Sequence, residues 1–162
     1  MSPNVTSAPA RFEQIQIGQV FQASESFGHA EMDQFAALSG DHSAIHASPE
    51  TAKRFGFPDR VQYGFLLATL LSRIVGTNFE HAVCASVMLD FVKASIAGDR
   101  IDVRAEVTQV QEAIRSVVLK IAMLNGPDIL VRGKLTATFL AEPAAAMRDK
   151  RPADGNSSGM DR

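Results

Sequence analysis

"GFLLATLLSRIVG", residues 64–76, carries seven large apolar side chains in thirteen positions: Phe65, Leu66, Leu67, Leu70, Leu71, Ile74 and Val75. Their spacing of three and four predicts a helix, and because they point in nearly every direction around its axis the helix must be buried. It is too short to cross a bilayer, which takes about 20 apolar residues. Gly76 is the expected stop.

A buried helix needs a partner surface, and the residues that follow supply one. "IDVRAEVTQV", residues 101–110, sets Ile101, Val103, Ala105 and Val107 against Asp102, Arg104, Glu106 and Thr108, the two-residue alternation of a strand with one wet face. "ASVMLDFV" (85–92), "SVVLKIAML" (116–124) and "KLTATFLA" (134–141) read as strands too, with turn signals at Gly98-Asp99 and Asn125-Gly126-Pro127. Four strands joined by short turns predict an antiparallel meander, with the apolar helix lying against its greasy face. The fold class is α+β.

Upstream, "GQVFQASESF" alternates like a strand. "HAEMDQFAALSG" then places Met32, Phe35, Ala36 and Leu38 at helical spacing and stops at Gly40. "SPETAKRFGF" opens a further short helix, with Ser48 as N-cap, Pro49 in the first turn and Gly56 at the end. The small, polar residues 1–10 read as a flexible N-terminus, and 143–162, charged and rich in Gly and Ser, as a disordered tail. One domain over 11–142 remains between them.

The 162 residues suit a single core, and 46% hydrophobic with 21% charged residues is the balance of a soluble globular chain. A net charge of -2 with both signs interspersed leaves no basic stripe for a nucleic acid. Residues 1–14 carry no apolar core of the kind a secretory signal needs and no run reaches the length of a membrane span, so the expected compartment is the cytoplasm. Cys84 is the single cysteine; set among strand residues with no activating neighbour, it is read as a buried structural thiol.

The chemistry concentrates in "GDHSAIHA", residues 40–47. His42 and His46 stand four apart with Asp41 beside them, which on a helix would be a metal spacing. Gly40 before them and the Ser48-Pro49 helix start after them make the segment a loop, and no Glu sits where a zinc hydrolase would hold its base. The metal reading is therefore set aside. His29, His42 and His81 read as surface or capping residues.

On three blocks the chain resembles the MaoC-like hot-dog dehydratases, especially the short (R)-specific enoyl-CoA hydratases, over about residues 12–141. In "FAALSGDHSAIH" (35–46) that family writes Ser-Gly-Asp, any residue, Asn-Pro, an aliphatic and His, so Asp41 and His46 fall on its catalytic acid and histidine. "RVQYGFLLATLLS" (60–72) matches the segment that opens the central helix; Gly64 falls on the glycine whose N–H serves the oxyanion hole, and Ser72 on a serine of several members. "LDFVKASIAGDRIDVRAEV" (89–107) resembles the following strand and Gly-Asp turn. Ser43 and Ala44 replace the usual Asn-Pro, and Tyr63 the usual His.

The resemblance implies a hot-dog domain, dimeric by family habit, that hydrates a trans-2-enoyl thioester of coenzyme A or acyl carrier protein without cofactor or metal. The reaction needs two proton handlers and a set of N–H donors for the thioester oxygen. Fully extended, five residues would hold Asp41 and His46 about 17 Å apart, so the loop has to curl, with Gly40 and Ser43 supplying the turn chemistry. His46 then deprotonates a water that Asp41 orients, Asp41 relays the proton to C2, and the N-terminus of the central helix at Gly64 receives the negative charge. Tyr63 either donates to substrate or fills the pocket mouth. Ser72 either lines the pocket or bonds back to the carbonyl of Ala68. Lys93, Arg54 and Arg60 are the cations nearest the expected mouth. Two rival readings stay open: a hot-dog acyl thioesterase, and a non-catalytic acyl-binding or dimerisation domain.

Overall fold

The computed structural model describes residues 8–141. Five strands, β1 (Val20–Ser26), β2 (Ala82–Phe91), β3 (Arg100–Gln111), β4 (Ser116–Asn125) and β5 (Asp128–Phe139), form one antiparallel sheet in the order β1-β3-β4-β5-β2. The helices α1 (His29–Ser39), α2 (Ala44–Ala47), α3 (Pro49–Arg54) and α4 (Gly64–Asn78) all fall between β1 and β2 in the chain.

The helix α4 packs on β1, β2 and β3, and since β1 and β2 are the two outer strands, the sheet has to curl around it. Leu66, Leu67, Leu70, Leu71, Ile74 and Val75 are buried there against Ile101, Val103, Ala105 and Val107 of β3 and the inner residues of β4 and β5. Burial of each such side chain stabilises by roughly 1.5–3 kcal/mol relative to exposure.

Several sequence expectations are corrected. The helix α4 is not buried all round: Phe65 is 76% exposed, and Ser72 and Arg73 also face outward, because the sheet covers one side only. It also runs past Gly76 to Asn78; Thr77 Oγ1 and Asn78 Nδ2 donate to the carbonyls of Arg73 and Ile74, and Phe79 is anchored in the core. The meander covers β3, β4 and β5 alone, since β2 crosses over to pair with β5. That edge position explains Cys84: the thiol is exposed rather than buried, although partial desolvation still raises its pKa. Leu38, expected on the apolar face of α1, is 86% exposed.

Of the ends read as mobile, residues 1–7 and 143–162 lie outside the described residues. Ala10 is tied down, its N–H donating to Asn78 O and its carbonyl accepting from Glu80 N. The α1 and α3 boundaries follow their caps: Gly40 takes φ 74° after α1, and Ser48 Oγ accepts from Thr51 N at 3.1 Å at the start of α3. No helix among the described residues is long and apolar enough to cross a membrane.

Gly133 holds β2 and β5 together. A Cβ placed there would lie 2.0 Å from the carbonyl oxygen of Met88 on β2, so no larger residue fits without parting the strands. Gly133→Ala is expected to destabilise the fold by about 1–3 kcal/mol, the usual range for overpacking. Urea denaturation would show this as a lower midpoint with an unchanged slope.

Candidate active site

The segment from Gly40 to Ala47 is tied back on itself and then to residues 60–63. Asp41 Oδ1 accepts the N–H of Ser43 at 3.0 Å, which turns the chain just before α2. The amides of His46 and Ala47 bond to Ser43 O, closing the single turn of α2. The segment is thus loop over residues 40–43, as the sequence reads, and a single helical turn over Ala44–Ala47, which the sequence reads as loop.

His46 is held by its ring. Its Nδ1 lies 2.7 Å from the carbonyl oxygen of Val61, which can only accept, so Nδ1 carries the proton and a neutral ring leaves Nε2 as a bare acceptor. The ring stacks on Tyr63, centroids 4.2 Å apart at 33°, and Tyr63 in turn packs on Phe35 at 5.0 Å.

Tyr63 is 2% exposed and its hydroxyl donates to the Asp41 carbonyl at 3.0 Å. Burial, reinforced by the Asp41 charge, pushes its pKa above the ordinary phenol value, so it stays a donor at neutral pH. The hydroxyl is spent on the loop that carries Asp41, and the ring supports His46. Tyr63→Phe is accordingly expected to cost about 1 kcal/mol of stability, the worth of one hydrogen bond, and to leave turnover within about tenfold of the parent. A loss of several hundredfold with an intact fold would instead mark a hydroxyl acting on substrate.

These groups open on one cleft of about 490 Å³. Asp41, His46, Tyr63 and Gly64 line it, with Phe35, Leu67, Phe91 and Lys93 among the remaining wall residues. Gly64 is the first residue of α4, whose opening N–H groups have no partner within the helix and carry the positive end of its dipole. Its lack of a side chain also has a packing reason: a Cβ at Gly64 would sit 2.6 Å from the ring of Phe91.

The other sequence candidates fall elsewhere. Ser72 is exposed two turns along α4 and Ser43 is exposed at the start of α2; neither lines the cleft, and Ser43 acts through its backbone N–H. His42 is exposed, and His29 pairs with Asp59 at 3.0 Å. Lys93 does line the cleft and pairs with Asp128. Arg60 is no mouth residue: it is 6% exposed and bonded to Asp33 and to the His46 carbonyl. Sequence reasoning missed Val61, which contributes only a carbonyl, and the aromatic wall of Phe35 and Phe91. Among the described residues no group of three or more His, Cys, Asp or Glu is placed to hold a metal.

A curled antiparallel sheet around a central helix, with an acid and a histidine in a cleft at that helix's N-terminus, defines a hot-dog domain of the dehydratase class. The chain belongs to the MaoC-like domain family, whose model matches residues 10–123. It is 31% identical over 102 residues to the (R)-specific enoyl-CoA hydratase of Aeromonas caviae, a match covering 62% of this chain and 76% of that one. A mitochondrial 3-hydroxyacyl-[acyl-carrier-protein] dehydratase of Arabidopsis thaliana is 24% identical over 144 residues, 86% of this chain and 85% of the relative. The solved A. caviae (R)-hydratase, described as involved in PHA biosynthesis, superposes with a TM-score of 0.76 at 27% identity, covering 79% of this chain and 99% of its own. With such relatives the chain is an enzyme of the hydro-lyase class.

Proposed function

We propose that the chain reversibly adds water across the C2=C3 bond of a trans-2-enoyl thioester to give the (R)-3-hydroxyacyl thioester. The observation that carries this reading is the 2.7 Å contact of His46 Nδ1 with the Val61 carbonyl, which in a neutral ring leaves Nε2 as an acceptor on a residue that lines the same cleft as Asp41 and Gly64. Nε2 takes a proton from water as the water oxygen bonds to C3. Asp41, whose Oδ2 is left over after Oδ1 serves Ser43, orients that water and then relays the proton held on Nε2 to C2, which returns His46 to its neutral form and Asp41 to its carboxylate. The negative charge that builds on the thioester oxygen meets the Gly64 N–H at the positive end of α4. The sum is one H–OH added, with both side chains restored.

Hydratases and dehydratases of CoA and acyl-carrier-protein thioesters among the relatives support this substrate class. The residues proposed to act need no cofactor. A second copy of the chain is the proposed partner, since β2 is an outer strand with an unpaired edge and carries Val83, Val87, Met88 and Phe91 exposed. The absence of any membrane-spanning helix among the described residues is compatible with the cytoplasm as its compartment.

The test is a panel of saturated and trans-2-unsaturated thioesters assayed in parallel. Loss of the conjugated enoyl absorbance without release of free thiol supports hydration. Thiol release would replace it with the thioesterase reading, and no change with any member of the panel would favour a binding domain.

A further inference from the structure

We propose that Arg60 is a positioning residue that holds His46 in its acting geometry; the role in turnover rests on the hydration reading above. The helix α2 that carries His46 is too weak to hold itself. It is four residues long, buries none of its side chains and has no side-chain cap, and an isolated turn of helix is unstable in water. Something outside it must fix the imidazole.

The grip comes from two consecutive residues. Arg60 Nε donates to the carbonyl of His46, Val61 O accepts His46 Nδ1 at 2.7 Å, and Val61 N donates to Ile45 O at 3.2 Å. His46 is thus held at its main chain by one residue and at its ring by the next. Arg60 is itself set in place by backbone bonds, its N–H to Asp59 Oδ1 at 2.7 Å and its carbonyl from Ala97 N at 2.8 Å.

Stability does not account for this cation. Taking a guanidinium to 6% exposure is expensive, and the carboxylate it meets through Nη2 at 2.7 Å, Asp33, is 67% exposed and well hydrated on its own side. A pair of this kind contributes little net stability. What the planar fork does provide is fixed direction: Nε points to α2 while Nη2 points to α1, so the two helices are joined through one rigid group. Lysine, with a single tetrahedral ammonium, cannot reproduce that pair of directions.

The experiment compares Arg60→Ala, Arg60→Lys and Asp33→Asn with the parent by three readouts. The first is the ¹⁵N shifts of the His46 ring, which report its tautomer without any substrate. The second is kcat and KM with a short trans-2-enoyl-CoA. The third is rescue of Arg60→Ala by added guanidinium, with sodium chloride as the ionic control.

In Arg60→Ala the single Nδ1–H tautomer should give way to a mixture. Its kcat should fall at least about tenfold, with KM moving less than about threefold, and guanidinium but not sodium should restore part of the loss. Arg60→Lys should resemble Arg60→Ala, and Asp33→Asn should fall between. An unchanged tautomer together with parental kcat in folded Arg60→Ala overturns the proposal. Should that variant not fold, the same result in Arg60→Lys overturns it. If the parent hydrates no thioester, the functional reading fails while the ring shifts still decide the role of Arg60.

Discussion

Asp41→Asn and His46→Ala are each expected to lower kcat for enoyl-thioester hydration by about 10²–10⁴-fold, the contribution of a positioned acid or base, with Asp41→Asn melting as the parent does and His46→Ala losing only about 1 kcal/mol with its bond to Val61. Asp41 is exposed and His46 is partly buried against Tyr63, and both lie outside the core, so neither change empties a core site. The amide of Asp41→Asn still accepts the Ser43 N–H but carries no charge and handles no proton, so its effect isolates chemistry from loop geometry. His46→Ala removes the base and its bond to Val61 together. The two losses should not add, because both groups serve the same proton transfers. Steady-state kinetics on the two single variants and the double variant check this; parental rates in either single variant would remove that residue from the mechanism.

Leu70→Ala should destabilise the fold by about 2–5 kcal/mol, the range for emptying a packed leucine site. Leu70 is 0% exposed on the side of α4 that the curled sheet encloses, so the lost atoms leave a void that no single element can close. The melting temperature should drop by on the order of ten degrees. Leu38→Ala is the control: with 86% of its surface already in water, its change should stay within about 0.5 kcal/mol. Thermal melts of the two variants that matched each other would mean that α4 is not the centre of the core.

Much of this architecture is written in local patterns, and its limits are physical. The residues Ile101, Val103, Ala105 and Val107 announce β3 because one face is wet and the other dry, and all four are buried. The first half of β5 is hidden, since Leu130 and Val131 are buried in succession and break the alternation, and Gly133 adds no apolar side chain. The crossover that sends β2 to β5 depends on pairing between segments far apart in the chain, which no short window contains. Cys84 and Phe65 were misplaced for the same reason: the residues around them are apolar, and only the sheet order shows that one is on an outer strand and the other on the uncovered side of α4.

At the site, Asp41 and His46 were visible as an acid and a histidine in one short segment, the resemblance to the family singled them out together with Gly64, and all three line one cleft. What fixes them was not. The carbonyl of Val61 is a backbone atom common to every residue type, and it arrives from fifteen positions away. Arg60 reads from sequence as a cation near the mouth because its burial depends on α1 and α2 closing over it. Tyr63 was legible as a departure from the family pattern, though not as the group that ties Asp41 to the ring beneath His46.

The contact between Gly64 and Phe91 means that a side chain at 64 takes the place where the Phe91 ring now rests. Bulk gained at 64 moves that ring or replaces it, so enlarging residue 64 and trimming residue 91 should be tolerated together better than the sum of the separate changes. A library that varies both sites jointly would therefore reach cleft shapes that stepwise single substitution passes through only by way of damaged intermediates.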